Sequence, residues 1–279
     1  MRRDALLLLL AACILPLPLG AQAVRGVVVE QSGTTPVAGA LVSLVDAAGK
    51  VRAEVLTDAA GRYLLRAPSA GTYRLRTDRV GYRSATASAV ELADGATVER
   101  TLRASAEHVQ LEALVATAER RRCTVRPTEG AETATLWDEA RKALASTGQS
   151  GRQYPLRYEI RRTTREVDAD TRIVRNEQTR MQSGYRVNPF VSAPAEQLAE
   201  RGYVQARGDT LVFYGPDAAV LLSDVFLDTH CFRVQPPSRE HEGMVGLAFE
   251  AVEGRSLPEV QGVLWMDRRT AELRVLEYR

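Results

Sequence analysis

From Val24 to about Ala104, apolar and polar residues alternate in short runs, and a turn signal interrupts them about every 8 to 12 residues. A period of two sends successive side chains to opposite faces of a strand, so each run has one face to bury. Helical spacing is absent, and strands with one apolar face bury it by packing sheet on sheet. Gly26 to Glu30 leads into Gly33, Pro36 and Gly39, and Ala40, Val42 and Leu44 alternate next. Asp46 to Lys50 reads as a hairpin turn with Gly49 at its tight position. The run Ala53 to Thr57 ends at Asp58-Ala59-Ala60-Gly61, where the aspartate can accept bonds from its own backbone and the glycine can take positive φ. Tyr63 and Leu65 then face one way, while Arg62, Leu64 and Arg66 face the other. Gly71 and Gly81 mark further turns around Tyr73 and Leu75.

The string Gly26-x-Val28, Pro36-Val37-x-Gly39-Ala40-x-Val42-x-Leu44, Thr57-Asp58-x-x-Gly61-x-Tyr63-x-Leu65, Gly71-x-Tyr73-x-Leu75 and Gly81-Tyr82 resembles the carboxypeptidase regulatory-like domain. That resemblance implies a seven-stranded, transthyretin-like β-sandwich over residues 24–104. Such domains occur beside zinc carboxypeptidases, at the start of TonB-dependent receptors and in secreted bacterial proteins. It implies an accessory module and no peptidase chemistry. None of His108, His230 and His241 stands in a His-x-x-Glu or His-Glu-x-x-His arrangement. Thr57, Asp58 and Gly61 offer one carboxylate, too few oxygens for calcium, so they read as a turn. Tyr63, Tyr73 and Tyr82 are half-buried strand residues in the simpler reading, and a sugar-stacking platform in the other.

Residues 1–23 have the parts of a secretory signal: Arg2 and Arg3, an apolar run from Ala5 to Leu19, and the triplet Ala21-Gln22-Ala23. The mature chain then starts near Val24, exported to the periplasm, the outer-membrane periphery or the exterior. Leu10-Ala11-Ala12-Cys13 also resembles a lipobox, which would leave Cys13 acylated. The run is too short to remain as a spanning helix, and no later segment is apolar enough. With 37 basic and 35 acidic residues the chain has no net field to hold nucleic acid. Removing the signal leaves Cys123 and Cys231 in an oxidising compartment, where they read as a disulfide or else as two buried thiols.

Residues 105–153 read as a linker with an amphipathic helix, Thr133 to Ser146. Leu136, Ala140, Ala143 and Leu144 share a face, Trp137 lies beside it, and Gly148 is the stop. Asp138 and Glu139 in front and Arg141 and Lys142 behind suit the helix dipole. Leu111 to Ala118 resembles the extended segment after this domain in TonB-dependent receptors, but too little chain follows for a barrel.

Residues 154–279 read as a second, antiparallel β-sheet domain. Its strands are Leu156 to Thr164, Ile173 to Ser183, Tyr203 to Gln205, Thr210 to Tyr214, Leu247 to Glu250, Val260 to Asp267 and Ala271 to Tyr278. Gly208-Asp209 turns a hairpin, and Asp217 to Leu227 is helix or loop. Arg161, Arg162, Arg165, Arg172, Arg175 and Arg180 make one sheet face wet. The closing Gly262-x-Leu264-Trp265-x-Asp267-x-x-Thr270-x-x-Leu273 loosely resembles envelope lipoprotein carriers, which implies a curved sheet around an apolar groove; Leu264 and Trp265 read more simply as core. The alternation still runs at Arg279, as a closing edge strand or as chain that continues.

No nucleophile elbow, phosphate loop or dinucleotide fingerprint occurs. His230 and Cys231 are strand neighbours that point apart, and Glu240-His241-Glu242 reads as a solvated loop. The expectation is a mainly β, non-catalytic envelope protein without metal or cofactor that binds or scaffolds an envelope protein, glycan or lipid. The alternatives are an accessory of a peptidase system and a carbohydrate-binding module.

Overall fold

The computed structural model describes residues 22–108, 111, 124–125, 131–168, 170–208 and 210–279. Residues 1–21 of the expected signal, with the lipobox-like Cys13, the expected bridge partner Cys123, most of the 111–118 segment and Asp209 lie outside them.

The first domain comprises β1 (Ala23–Glu30), β2 (Leu41–Val45), β3 (Val51–Leu56), β4 (Arg62–Arg66), β5 (Gly71–Asp78), β6 (Tyr82–Arg83), β7 (Ala85–Thr86), β8 (Val90–Leu92) and β9 (Thr97–His108). One sheet has the order β4-β1-β9-β6, the other β3-β2-β5-β7 with β8 also on β5. Val24, Val28, Val42, Leu44, Leu65, Leu75 and Leu102 fill the space between them, as the alternation requires. Nine strands stand where the resemblance implies seven: the chain passes from one sheet to the other at Ser84, between the two-residue pieces β6 and β7, and the three-residue β8 is a further short strand on β5.

Two turns share the tetrapeptide Asp-Ala-Ala-Gly and one geometry. Asp46 Oδ1 accepts from the amides of Ala48 and Lys50, each at 2.9 Å, and Gly49 has φ 78°. Asp58 Oδ1 does the same for Ala60 and Arg62 at 2.9 Å, with Gly61 at φ 70°. A short polar side chain thus satisfies the turn amides while glycine takes the left-handed step.

β10 (Thr124–Val125) precedes α1 (Ala131–Gln153), whose buried face is the one expected: Leu136, Trp137, Ala140, Ala143 and Leu144. The helix runs through Gly148, correcting the stop placed there. Its last turns are fastened to the sandwich instead: Gln149 Nε2 donates to the Glu54 carbonyl at 3.0 Å, and Arg152 reaches the Glu54 carboxylate.

β11 (Leu156–Val167) and β12 (Val174–Arg186) pair only with each other and stand exposed on both faces, so the expectation of one wet face on a larger sheet is wrong. The pattern there has no apolar stripe long enough to bury. After them come α2 (Ala195–Arg201), the hairpin β13 (Val204–Arg207) and β14 (Thr210–Phe213), then α3 (Ala218–Leu221) and α4 (Asp224–Thr229). Sequence reading missed α2 and set no bounds for β15 (His230–Gln235), the strand that carries His230 and Cys231. β15 joins β16 (Met244–Ala251), β17 (Gly262–Asp267) and β18 (Leu273–Tyr278) in the antiparallel order β10-β15-β16-β17-β18.

The inner face of this sheet carries Phe232, Leu247, Phe249, Leu264 and Met266, and α1, α3 and α4 cover it with Leu136, Trp137, Leu221 and Phe226. The groove implied by the carrier resemblance is therefore filled with side chains, which burial of apolar area favours over an open trough. Leu264 is core, as expected.

Candidate functional site

Three polar arrangements distinguish this chain from a plain pair of packed domains. The first joins α1 to the sandwich. Asp78, at the end of β5 and 1% exposed, pairs with Arg141 at 3.1 Å and with Arg76 at 2.9 Å. Burial pushes the Asp78 carboxyl up, but Arg141, Ser84 and Arg76 outweigh it and leave the pKa below the ordinary value. Beside Arg141 on the helix, Lys142 pairs with Glu139, and both are withdrawn from solvent. The dipole reading of Arg141 and Lys142 is thereby corrected: both cations are spent on partners across the domain boundary and on the same helix face.

The second surrounds His230. It is 1% exposed and stacks on Phe226 with centroids 3.9 Å apart, near Phe249 and Tyr203. Its Nδ1 is 3.2 Å from the Phe226 carbonyl, and Nε2 is 3.9 Å from Glu259. Burial holds the imidazole down to about 4, so it is neutral at ordinary pH. Neighbouring Cys231 is buried too, on the opposite face of β15, where Val125 pairs with it. The two side chains make no nucleophile–base pair, as their adjacency on a strand predicts.

The third lies on the outer face of the C-terminal sheet. Trp265 is 3% exposed although it points away from the core, because the ring of His241 covers it at 4.1 Å with only 5° between the planes. His241 Nδ1 is 2.9 Å from Ser238 Oγ, and Nε2 is 3.2 Å from Glu277 Oε1. Glu277 Oε2 accepts from Trp265 Nε1 at 2.9 Å. Glu240 adds its carboxylate to the same group. The solvated-loop reading of Glu240-His241-Glu242 fails for His241, which is 7% exposed.

The remaining singled-out residues sit as turns and core. Gly71 and Gly81 have φ 151° and 79°, joining Gly61 as left-handed positions. Tyr63 and Tyr73 are buried, and their hydroxyls donate to the Arg100 and Ser69 carbonyls, so they offer no sugar-stacking platform. His108 lies at the end of β9, away in sequence order and in sheet from the other two histidines.

The β11–β12 ribbon adds an exposed surface of another kind. Arg162 is directly opposite Arg180, on a face shared with Gln178 and Gln182. Arg165 pairs with Glu177 at 2.6 Å on the other face.

Among known proteins, no curated sequence matches this chain. Several solved structures match over about a third of this chain. The TIE protein of Bacillus anthracis is 20% identical over 30% of this chain and 17% of that one, with a TM-score of 0.27. The group B streptococcus pilus 2b backbone protein is 18% identical over 30% of this chain and 41% of that one, at 0.24. A cohesin–X-dockerin complex of Acetivibrio cellulolyticus is 23% identical over 31% of this chain and 53% of that one, at 0.23. The chain thus spans about half or less of each of these, and scores so low leave the fold to be judged from its own strands and turns. A family match agrees with those strands and turns: residues 23–105 match the carboxypeptidase regulatory-like domain.

Proposed function

We propose that this chain is an exported, non-catalytic binding or scaffolding protein of the cell envelope, in which the β11–β12 ribbon is the arm that meets the partner. The observation that carries the reading is the exposure of this ribbon on both faces with Arg162 set across from Arg180. An isolated two-stranded ribbon is marginal in water, and like charges directly opposed weaken it further. Such an arrangement is tolerated where a carboxylate- or phosphate-bearing surface neutralises the pair, since guanidinium forks suit those groups. The family of the first domain supports the accessory role. Export is supported by the charged, apolar and small-residue parts of residues 1–23.

A photo-crosslinking residue at Gln178, which is exposed on the face of Arg162 and Arg180, tests the arm in cells producing the full chain. One discrete adduct is expected, lost when Arg162 and Arg180 are both changed to Glu. Absence of an adduct, or one indifferent to those charges, would refute the assignment. Appearance of a processed N-terminus near Val24 in the same cells is the expected sign of export.

A further inference from the structure

We propose that Glu240, His241 and Glu277 form a binding site for a divalent first-row metal ion of the zinc type. Their ligand atoms lie within 4.8 Å of one another, one imidazole nitrogen and two carboxylates. Zinc held at 2.0–2.2 Å sets its ligands about 3.3 Å apart along each tetrahedral edge. His241 Nε2 and Glu277 Oε1 are already 3.2 Å apart. Glu240 is exposed and free to turn inward, and water completes the shell.

What separates this group from a chance meeting of surface charges is the way its members are held. Gly246 lies opposite Trp265, and a Cβ there would come within 3.0 Å of the indole and 2.6 Å of Val263, so glycine makes the bed on which Trp265 lies. His241 stacks on the other side of the indole, which fixes the plane of the imidazole. Ser238 Oγ lies 2.9 Å from Nδ1. Without metal, Nε2–H donates to Glu277. With metal, the imidazole proton sits on Nδ1, Ser238 Oγ accepts it, and the Nε2 lone pair turns to the ion. Glu277 is oriented in turn by the Trp265 indole N–H at 2.9 Å. Metal-binding imidazoles and carboxylates are characteristically held by such outer partners. The nitrogen ligand favours zinc, nickel or copper over calcium or magnesium, which take all-oxygen shells, and two carboxylates balance the ion's charge.

The site is independent of the β11–β12 arm and is tested without any partner. Zn²⁺ is titrated calorimetrically into the tag-free chain near neutral pH, and Cu²⁺ is titrated while tryptophan emission is followed, one of the two tryptophans being the stacked Trp265. One zinc per chain and saturable copper quenching are expected. Glu277→Gln keeps an acceptor for the indole, and Glu240→Gln changes an exposed side chain, so both leave the fold intact by circular dichroism. Each is expected to weaken zinc at least about tenfold, His241→Gln to abolish binding, and Ser238→Ala to weaken it about tenfold. No saturable zinc binding by the wild-type chain would overturn the assignment, as would affinity unchanged in both Glu277→Gln and His241→Gln.

Discussion

Lys142 Nζ lies 2.7 Å from Glu139 Oε1, and the two side chains are 0% and 1% exposed. Two further bonds of the pair cross to the sandwich, with Lys142 donating to the Tyr82 carbonyl at 2.6 Å and Glu139 Oε2 accepting from the Gly81 amide at 2.7 Å, while Lys142 also reaches Asp138 Oδ2 at 2.7 Å on its own helix. Breaking one partner of a buried pair strands the other charge, at a cost of about 3–5 kcal/mol. Lys142→Met should therefore lower unfolding stability by about that much, while Lys142→Met with Glu139→Gln should recover a large part of it. Urea denaturation of the two variants checks this. Equal losses for single and double variants would mean that the pair contributes through packing alone.

Burial of His230 gives the chain an acid sensitivity of its own. The folded imidazole titrates at about 4, against 6.5 for the unfolded chain, so between those values only the unfolded state takes up the proton. Stability should fall as pH drops from 6.5 to 4, by about 3 kcal/mol in total, and stop changing from this cause below 4. Asp78, whose pKa is lowered, adds a separate loss only as pH falls below the ordinary carboxylate value. His230→Phe keeps the stack on Phe226 and should flatten the upper window while leaving the lower one. Melting temperatures across this pH range give the measurement, and an unchanged slope in the variant would contradict the assignment.

The twin Asp-Ala-Ala-Gly turns separate conformational cost from steric cost. A Cβ on Gly49 meets nothing within 4 Å, whereas one on Gly61 would lie 2.6 Å from the Val28 carbonyl and 3.1 Å from Pro36. Gly49→Ala should thus cost only the left-handed penalty, about 1–2 kcal/mol, and Gly61→Ala at least about 1 kcal/mol more. Thermal unfolding of the two variants decides, and equal costs would mean that β1 and its neighbours shift freely to admit the methyl group.

Cys231 is buried on β15, and β10, which begins one residue after Cys123, is paired alongside it. A Cys123–Cys231 bridge, proposed from the sequence, would close a loop worth about 4–5 kcal/mol of chain entropy. Peptide mapping without reductant should recover the two cysteines in one linked fragment, and Cys231→Ser should lower the melting temperature. Alkylation of both cysteines in the native chain without reductant would exclude the bridge.

The sandwich was legible because its signals are local: a period of two gives Tyr63 and Leu65 their side, and aspartate with glycine gives the turns theirs. The buried face of α1 was legible for the same reason. Its end was not, because a helical glycine costs only about 1 kcal/mol, and the bond from Gln149 to Glu54, distant in sequence, carries the helix past Gly148. Lys142 read as a complement to the helix dipole since its acceptor at Tyr82 lies in another domain. His241 was hidden similarly: Ser-Arg-Glu-His-Glu after two prolines reads as solvated, and only the indole of Trp265 buries it. Gly246 inside an apolar strand was the available clue, as a strand glycine often marks close approach of another group.

The same logic makes the β11–β12 ribbon the first place a protease should enter. Its strands meet no core, and its side-chain support is polar and exposed: a Thr163–Thr179 contact at 3.2 Å, a Gln182–Tyr158 bond, the Arg165–Glu177 pair and the Arg175–Asp168 pair near the turn. Against these stands Arg162 facing Arg180. Local opening is cheap where few apolar contacts are lost, so brief trypsin treatment should cut after Arg161, Arg162 or Arg180 before touching Arg66 or Arg74 in the sandwich strands. Arg180→Glu places opposite charges across the ribbon and should steady it by about 0.2–1 kcal/mol, slowing the cut at the sites it leaves intact, after Arg161 and Arg162. If the ribbon is the partner-binding arm, that variant should also lose crosslinking while becoming harder to digest, a combination that unfolding of the arm cannot produce.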